Sequence, residues 1–342
     1  MYHIIMAGGI GLRFWPMSRK NKPKQFLDLI DNDNLLNLTY LRLLDISSPE
    51  KIIIITSRMY RNRIIDQFPD IPSDNIIYEP SPKNTAPAIY LASKYVFSLD
   101  QNATIGVYPS DHFIKNKNEF SKNINNIIDF ISQDSDSIIT IGINPDYPST
   151  SFGYINFDHE VKNKVYKIKK FLEKPDLVKA KSLIEGGDNL WNSGMFFAKA
   201  KTMLDEIDLY IPEIKILYQK IKSIKEYENI WDEMPKISID YSVMEKTNKA
   251  YCMEATFDWS DLGTWISLYS LLKKDSKGNV HKGNVISFDS SNNLIISNTK
   301  LTSVVGLNNV AIINLDDTTL IIDLFKSEEV RNIMDKLDEK YK

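Results

Sequence analysis

The sequence predicts an α/β protein built on a mixed, mostly parallel sheet, followed by a small all-β region. Three observations carry that expectation. Apolar, β-branched runs such as Ile52-Ile53-Ile54-Ile55-Thr56 alternate with helical stretches over short connections, the pattern of a sheet covered by helices on both faces. From Lys282 onward the helices give way to short strands at near-regular spacing, separated by Asn, Asp and Gly turns. That texture suggests a small solenoid or a meander. The third observation is balance: 342 residues, 43% hydrophobic and 25% charged, enough for two domains and a sizeable core. The expected division is 1–275 and 276–342.

The elements follow in order. Ile4-Ile5-Met6 reads as a buried first strand, and Ala7-Gly8-Gly9-Ile10-Gly11 as a glycine turn after it. Glycines there let backbone N–H groups approach a bulky anion. Arg13, Arg19, Lys22 and Lys24 place four cations just beyond, so strand, turn and cations together describe a polyphosphate cradle. The third glycine and downstream acid of a dinucleotide fingerprint are missing, and no Gly-Lys-Ser/Thr closes a P-loop. Leu35–Leu44 has helical spacing, Arg58–Phe68 reads as a helix, Ile76–Tyr78 as a short strand and Thr85–Leu99 as a helix. Asn84 or Thr85 can cap that last helix. The next strand, 104–108, runs into Pro109-Ser110-Asp111, where an acid at a strand's carboxyl end can hold Mg²⁺ or simply start an Asx-turn.

A helix near 120–131 and a strand over 138–142 continue the sheet, and Phe152-Gly153-Tyr154-Ile155 leads into a more antiparallel region. Glu173-Lys174-Pro175 offers an acceptor for hydroxyls and a cation for a phosphate, just before a helix starting near Asp176. Trp191-Asn192-Ser193-Gly194 is a polar break in a strand, and 202–231 reads as amphipathic helix. Strands are expected at 283–288, 293–297, 301–305, 310–313 and 319–322. Val330, Ile333, Met334, Leu337 and Tyr341 then share one face of a terminal helix that needs a partner surface.

Charge and cysteine usage narrow the function. A net charge of −3 spread along the chain gives no reason to expect nucleic acid or an anionic membrane as partner. The lone Cys252 fits a reducing compartment. With no apolar run of membrane length and no leader before the first strand, the chain reads as soluble and cytoplasmic. Four histidines, His3, His112, His159 and His281, supply no zinc-like cluster. Any metal should be a hard cation on carboxylates.

Gly8-Gly9-Ile10-Gly11-Leu12-Arg13 followed by Pro23-Lys24 resembles the signature of sugar-1-phosphate nucleotidyltransferases. Phe14-Trp15-Pro16-Met17-Ser18-Arg19 and Pro23-Lys24-Gln25-Phe26-Leu27 are similar to the mannose-1-phosphate guanylyltransferase (GDP-mannose pyrophosphorylase) branch, with Phe14 and Met17 as conservative departures. The resemblance covers about the first 325 residues. It implies a Rossmann-like, GT-A-like nucleotidyltransferase domain and a short left-handed β-helix often used for subunit contact.

The same resemblance implies GTP and mannose-1-phosphate as substrates, Mg²⁺ on Asp111 and Asp261, and a homo-oligomer, a dimer first of all. Arg13, Lys24 and Lys174 join the two aspartates as catalytic candidates. Ala7, Gly8, Gly9, Gly11, Glu79, Asn84, Thr85, Ala86, Pro109 and Ser110 are implied on the nucleotide side, with Lys83 standing where the family has Arg. Gly153, Tyr154, Glu173, Lys174, Asn192, Ser193, Gly194, Asp240 and Tyr241 are implied around the sugar.

Three other readings stay open: a nucleotidyltransferase for another NTP and hexose-1-phosphate, a catalytically silent regulatory homologue, and a glycosyltransferase with its metal on Asp31-x-Asp33 or Asp134-x-Asp136.

Overall fold

The structure, a computed structural model, describes residues 1–342 except Ile10, Asp31 and Asn32, together with every helix and strand side chain but that of His159. The chain folds into two compact units: Met1–Gly8, Tyr40–Pro109 and Ile114–Trp259 form the first, and Gly9–Thr39, Ser110–Phe113 and Ser260–Lys342 the second.

The first unit is organised on nine strands: β1 (Tyr2–Ala7), β2 (Ile52–Ser57), β3 (Ile76–Glu79), β4 (Thr104–Pro109), β5 (Ile138–Ile143), β6 (Tyr154–Lys162), β7 (Val165–Leu172), β8 (Asn189–Lys199) and β9 (Ala250–Glu254). Their spatial order is β3-β2-β1-β4-β8-β5-β9-β7-β6. The first four run parallel, and β9 joins β5 in parallel. Between these groups β8 runs antiparallel to both β4 and β5, and β6 and β7 form an antiparallel pair. Strands β1, β2 and β4 are almost wholly buried, as continuous β-branched runs require.

The α-helices up to residue 218 are α1 (Leu35–Leu44), α2 (Arg61–Gln67), α3 (Thr85–Leu99), α4 (Lys117–Gln133), α5 (Leu177–Glu185), α6 (Ala200–Tyr210) and α7 (Pro212–Tyr218). In α3, Ala86, Ala88, Ala92 and Val96 join Ile4, Ile53, Ile55 and Val107 in one core. Small residues let that helix lie close to the sheet. In α4, Phe120, Ile124, Ile127 and Ile131 recur at helical spacing and are buried, and Asn116 accepts from the Glu119 N–H as cap.

The region 202–231, expected as helical, is helical in pieces: α6 and α7, then short turns at Ile224–Glu226 and Glu228–Trp231. Ile211 leaves helical geometry and Pro212 opens α7, because proline lacks the N–H and disfavours helix in the residue before it.

The second unit contains β10 (Val280–Phe288), β11 (Leu294–Val305), β12 (Val310–Asn314) and β13 (Thr319–Asp323). The first three stack in parallel, as in a solenoid, and β13 returns antiparallel. Residues 293–305, expected as two strands, run as one along β10, with a register shift between Gly283 and Val285. Buried Asn279 and Asn293 hydrogen-bond to each other at the corner, and Asn293 continues to the Leu307 carbonyl and the Val310 N–H. The inward residues Val280, Leu294, Ile296, Ala311 and Ile313 share a core with Phe14, Trp15, Leu262 and Trp265.

The terminal helix needs correcting. Leu324–Val330 and Glu339–Tyr341 are 3₁₀ turns around a four-residue α-turn at Arg331–Met334. The Trp15 indole N–H donates to the Tyr341 carbonyl and the Lys20 N–H to that of Lys342, which holds the last turn to its own unit. Val330, Ile333, Met334 and Leu337 find their partner surface in the same core. Among the described residues, no helix is long and apolar enough to cross a membrane.

Candidate active site

The glycine turn and its cations lie mainly in the second unit. Gly11 takes φ +67°, the left-handed conformation that suits glycine, and its carbonyl accepts from the Ser18 hydroxyl at 2.8 Å. The Lys24 stem packs against the turn, where a side chain on Gly11 would meet Lys24 Cβ at 2.3 Å. The Lys24 side chain is 6% exposed, and its Nζ donates to Asp111 Oδ2 at 2.8 Å and to the Asp261 main-chain carbonyl at 2.5 Å.

Asp111 and Asp261 respond differently to this arrangement. Burial acts to raise Asp111, but the Lys24 charge and hydrogen bond, helped by His112, hold it below the usual carboxylate range. Burial pushes Asp261 up; Lys24 opposes that, and the negative charge of Asp111 adds to it. The Gly263 N–H fixes Asp261 Oδ1 at 3.0 Å, while Leu262 between them takes φ +45°. Strain of this kind persists where the surroundings over-determine it. Arg13 adds a favourable charge toward Asp261. Two carboxylates within range of each other's charge, one of them a third exposed, suit a hard cation.

The four expected cations do not act alike. Arg19 forms a bidentate pair with Asp317, at 2.6 and 2.7 Å, and its Nε donates to the Pro16 carbonyl. The rigid guanidinium fork is committed inside the second unit rather than to phosphate. Lys22 is exposed, and its backbone pairs with that of Arg19.

The base-side segment lies in the first unit. Glu79 ends β3, is 8% exposed, and burial pushes its carboxyl up to about 7. Asn84 takes φ 67° and ψ −165°, a region nearly reserved for glycine, while its side chain accepts from the Thr85 N–H. Thr85 Oγ1 accepts from the Ile239 N–H, and the Ala86 N–H donates to the Ile237 carbonyl. Lys83 donates to the Asp232 carbonyl, a contact that anchors the loop. Pro109 ends β4, and the buried Ser110 follows it in the second unit.

The expected sugar residues converge in the first unit. Glu173, 8% exposed, pairs through Oε1 with Lys174, and its N–H donates to Glu245 at 2.9 Å. Its buried Oε2 has no hydrogen-bond partner among the described residues. Burial alone would lower the Lys174 ammonium, but the Glu173 hydrogen bond and charge outweigh it and raise it. Lys174 itself takes φ +46°. Asp240 sits in a short π-turn, raised by burial and by the Glu173 charge, and opposed by Lys174 and by a hydrogen bond from Asn192 Nδ2 at 2.8 Å.

Carboxylate oxygens approach two of the glycines closely. A side chain on Gly8 would meet Glu79 Oε2 at 2.4 Å, and one on Gly153 would meet Glu173 Oε2 at 2.5 Å. Not every expected contact faces outward. The Tyr154 hydroxyl donates to the Ser149 carbonyl from a buried position, and Ser193 Oγ accepts from the Met195 N–H. Tyr241 is 47% exposed. Sequence reasoning gave no role to Glu245, although it lies in the segment 237–246 that resembles the family, nor to Thr140, which lies in an apolar strand outside any motif.

Asp31 lies outside the described residues, and Asp134 caps the end of α4 rather than a strand.

The fold is a mixed α/β sheet followed by a parallel-strand solenoid, and sequence comparison gives its class, an enzyme of nucleotidyl transfer. A nucleotidyl transferase family model matches residues 2–278, and the chain belongs to that family. A second model, a MannoseP isomerase/GMP-like beta-helix domain, matches residues 283–337. Curated relatives include a mannose-1-phosphate guanylyltransferase of Escherichia coli, 35% identical over 98% of this chain and 75% of its own length. Another, from Sinorhizobium fredii, is 33% identical over 97% of this chain and 67% of its own length. Among solved structures, a Thermus thermophilus protein titled mannose-1-phosphate geranyltransferase superposes with TM-score 0.89 at 26% identity, covering 98% of both chains.

Proposed function

We infer that the chain is a mannose-1-phosphate guanylyltransferase, transferring GMP from GTP to mannose-1-phosphate with release of pyrophosphate. The observation that carries this reading is Lys24 bound to both Asp111 and Asp261, with the Asp261 carboxyl raised by burial and by the charge of Asp111. The relatives' names support the substrate pair.

Among the described residues, no three His, Cys, Asp or Glu side chains are grouped to hold a metal. Two carboxylates fit Mg²⁺, which commonly takes one or two protein carboxylates and completes its shell with substrate phosphates and water. Asp111 and Asp261 would hold it, and when bound it would neutralise phosphate charge at the α-phosphorus.

The chain's own residues supply the rest. A sugar phosphate's second pKa is near about 6, so its oxygen is already an anion at neutral pH and needs no general base. Arg13 and Lys24 offset charge on the nucleotide side and Lys174 on the sugar phosphate, which permits in-line attack. Guanine presents N1–H and 2-amino donors, which suit Glu79 as an acceptor; adenine offers no donor at those positions. Glu173, through its unpartnered Oε2, and Asp240 accept from hexose hydroxyls.

Exposed Ile286, Phe288, Leu301 and Val305 support self-association of the solenoid. Phe288 pairs with Val305 and Ile286 with Ser303, so three of the outward apolar residues lie on adjoining strands of one face. We divide the chain functionally at 275/276 and place the enzyme in the cytoplasm, where GTP is available and a lone buried Cys252 stays reduced.

The test is pyrophosphate release with Mg²⁺, offering four NTPs against mannose-1-phosphate and glucose-1-phosphate. Preference for GTP with mannose-1-phosphate is expected. Preference for another pair would keep the chemistry and replace the substrates. A folded protein silent with every pair would favour a regulatory homologue.

A further inference from the structure

Strand β8 carries a break that its pairing with β5 makes measurable. Asn192 lies opposite Gly142 and Phe196 opposite Thr140, so β8 uses four residues where β5 uses two. Gly194 within the break takes φ +69°, a conformation that side chains rarely adopt.

The fully buried Thr140 sits beneath this break. Its Oγ1 lies 2.9 Å from both Asn192 Oδ1 and the Met195 carbonyl, so one hydroxyl proton is shared between two acceptors of the bulged strand. The Gly194 N–H also donates to Asn192 Oδ1, at 3.1 Å. A backbone N–H can only donate, which fixes this end of the amide as oxygen and turns the NH₂ toward Asp240 Oδ1. The result is a directional relay, Thr140 to Asn192 to Asp240, assembled entirely within the first unit. Asn192 therefore keeps its oxygen inward, and what it delivers toward a ligand is the placement of Asp240.

We propose that Thr140 is a positioning residue for hexose recognition: by anchoring the β8 bulge and the Asn192 amide, it holds the Asp240 carboxylate where, with Glu173, it receives sugar hydroxyls. This rests on the hexose-1-phosphate reading above. The electrostatics agree, since the Asn192 donor opposes the burial and the Glu173 charge that raise Asp240. Without the hydroxyl, the Met195 carbonyl loses a buried donor and the Asn192 oxygen keeps only the Gly194 N–H, so the amide and the Asp240 carboxylate it braces are held less firmly.

Thr140→Val keeps the branched shape and removes the donor. The KM for mannose-1-phosphate is expected to rise about tenfold, with the KM for GTP and kcat within about twofold of the wild-type enzyme. Thr140→Ser, which keeps the hydroxyl, should restore the sugar-phosphate KM. Thr140→Cys, similar in size with only a weak donor, carries the same test if the valine variant does not fold. Turnover by the wild-type enzyme reads the proposed reaction itself, whereas the ratio of variant to wild type reads the role of Thr140. An unchanged sugar-phosphate KM in Thr140→Val, or equal losses in both KM values, would overturn the proposal.

Discussion

Each unit contains a lysine paired with one carboxylate, beside a second carboxylate that burial and the first one's charge raise. In the second unit these are Lys24, Asp111 and Asp261; in the first, Lys174, Glu173 and Asp240. Exposure separates them. By side chain alone, Lys24 is 6% exposed and Asp111 34%, whereas Lys174 is 52% exposed and Glu173 6%. One triad buries its cation and leaves a carboxylate open, which suits the hydrated metal of the proposed function. The other buries its carboxylate with one oxygen unpartnered, where desolvation would cost a hydrated cation heavily but a neutral hydroxyl far less. Under the proposed function, the same residue types would serve a metal in one place and a sugar in the other.

The largest expected effect comes from the open triad. Asp111→Asn or Asp261→Asn should lower kcat by roughly a thousandfold, with the folded state intact. Asp261→Asn also removes a raised carboxylate, so its Tm at pH 8 should equal or exceed the wild-type value. A variant that retains near-wild-type kcat with Mg²⁺ would break the comparison at its first term. Glu173→Gln should raise the KM for mannose-1-phosphate by about ten- to a hundredfold, with the KM for GTP little changed. Equal effects on both substrates would remove Glu173 from the sugar side.

Glu79 sharpens the comparison, being a buried carboxylate without a lysine. Its folded pKa of about 7 lies above the ordinary 4.5, so the folded state binds the proton more tightly than the unfolded chain. Stability from this group is therefore lost as pH rises from 4.5 through 7, by roughly 3 kcal/mol at the upper end. Glu79→Gln should raise Tm by a few degrees at pH 8, with the gain vanishing below pH 4.5, and should weaken the preference for GTP. A Tm gain that does not change with pH would contradict the burial argument.

Much of this architecture was legible in the chain. The α1 and α3 boundaries followed from apolar spacing and a cap, and the parallel strands from their β-branched runs. Clustered motifs marked the candidate site residues because glycines, prolines and paired charges stand out locally. What escaped was non-local. Arg19 looked like a phosphate cation until Asp317, from the far end of the chain, was seen to hold it. Thr140 is one threonine in an apolar strand, and only the β8 bulge gives it a role. The break at Ile211–Pro212 could have been read from the proline; amphipathic spacing on both sides concealed it.

The most direct test of the division of labour between the triads is a Mg²⁺ titration of pyrophosphate release, run beside the KM for mannose-1-phosphate, for Asp261→Asn and Glu173→Gln. The account predicts that Asp261→Asn shifts Mg²⁺ half-saturation upward while leaving the sugar-phosphate KM in place, and that Glu173→Gln does the reverse. If both variants moved both quantities to the same degree, the two triads would not be separate metal and hydroxyl sites, and the account would be wrong.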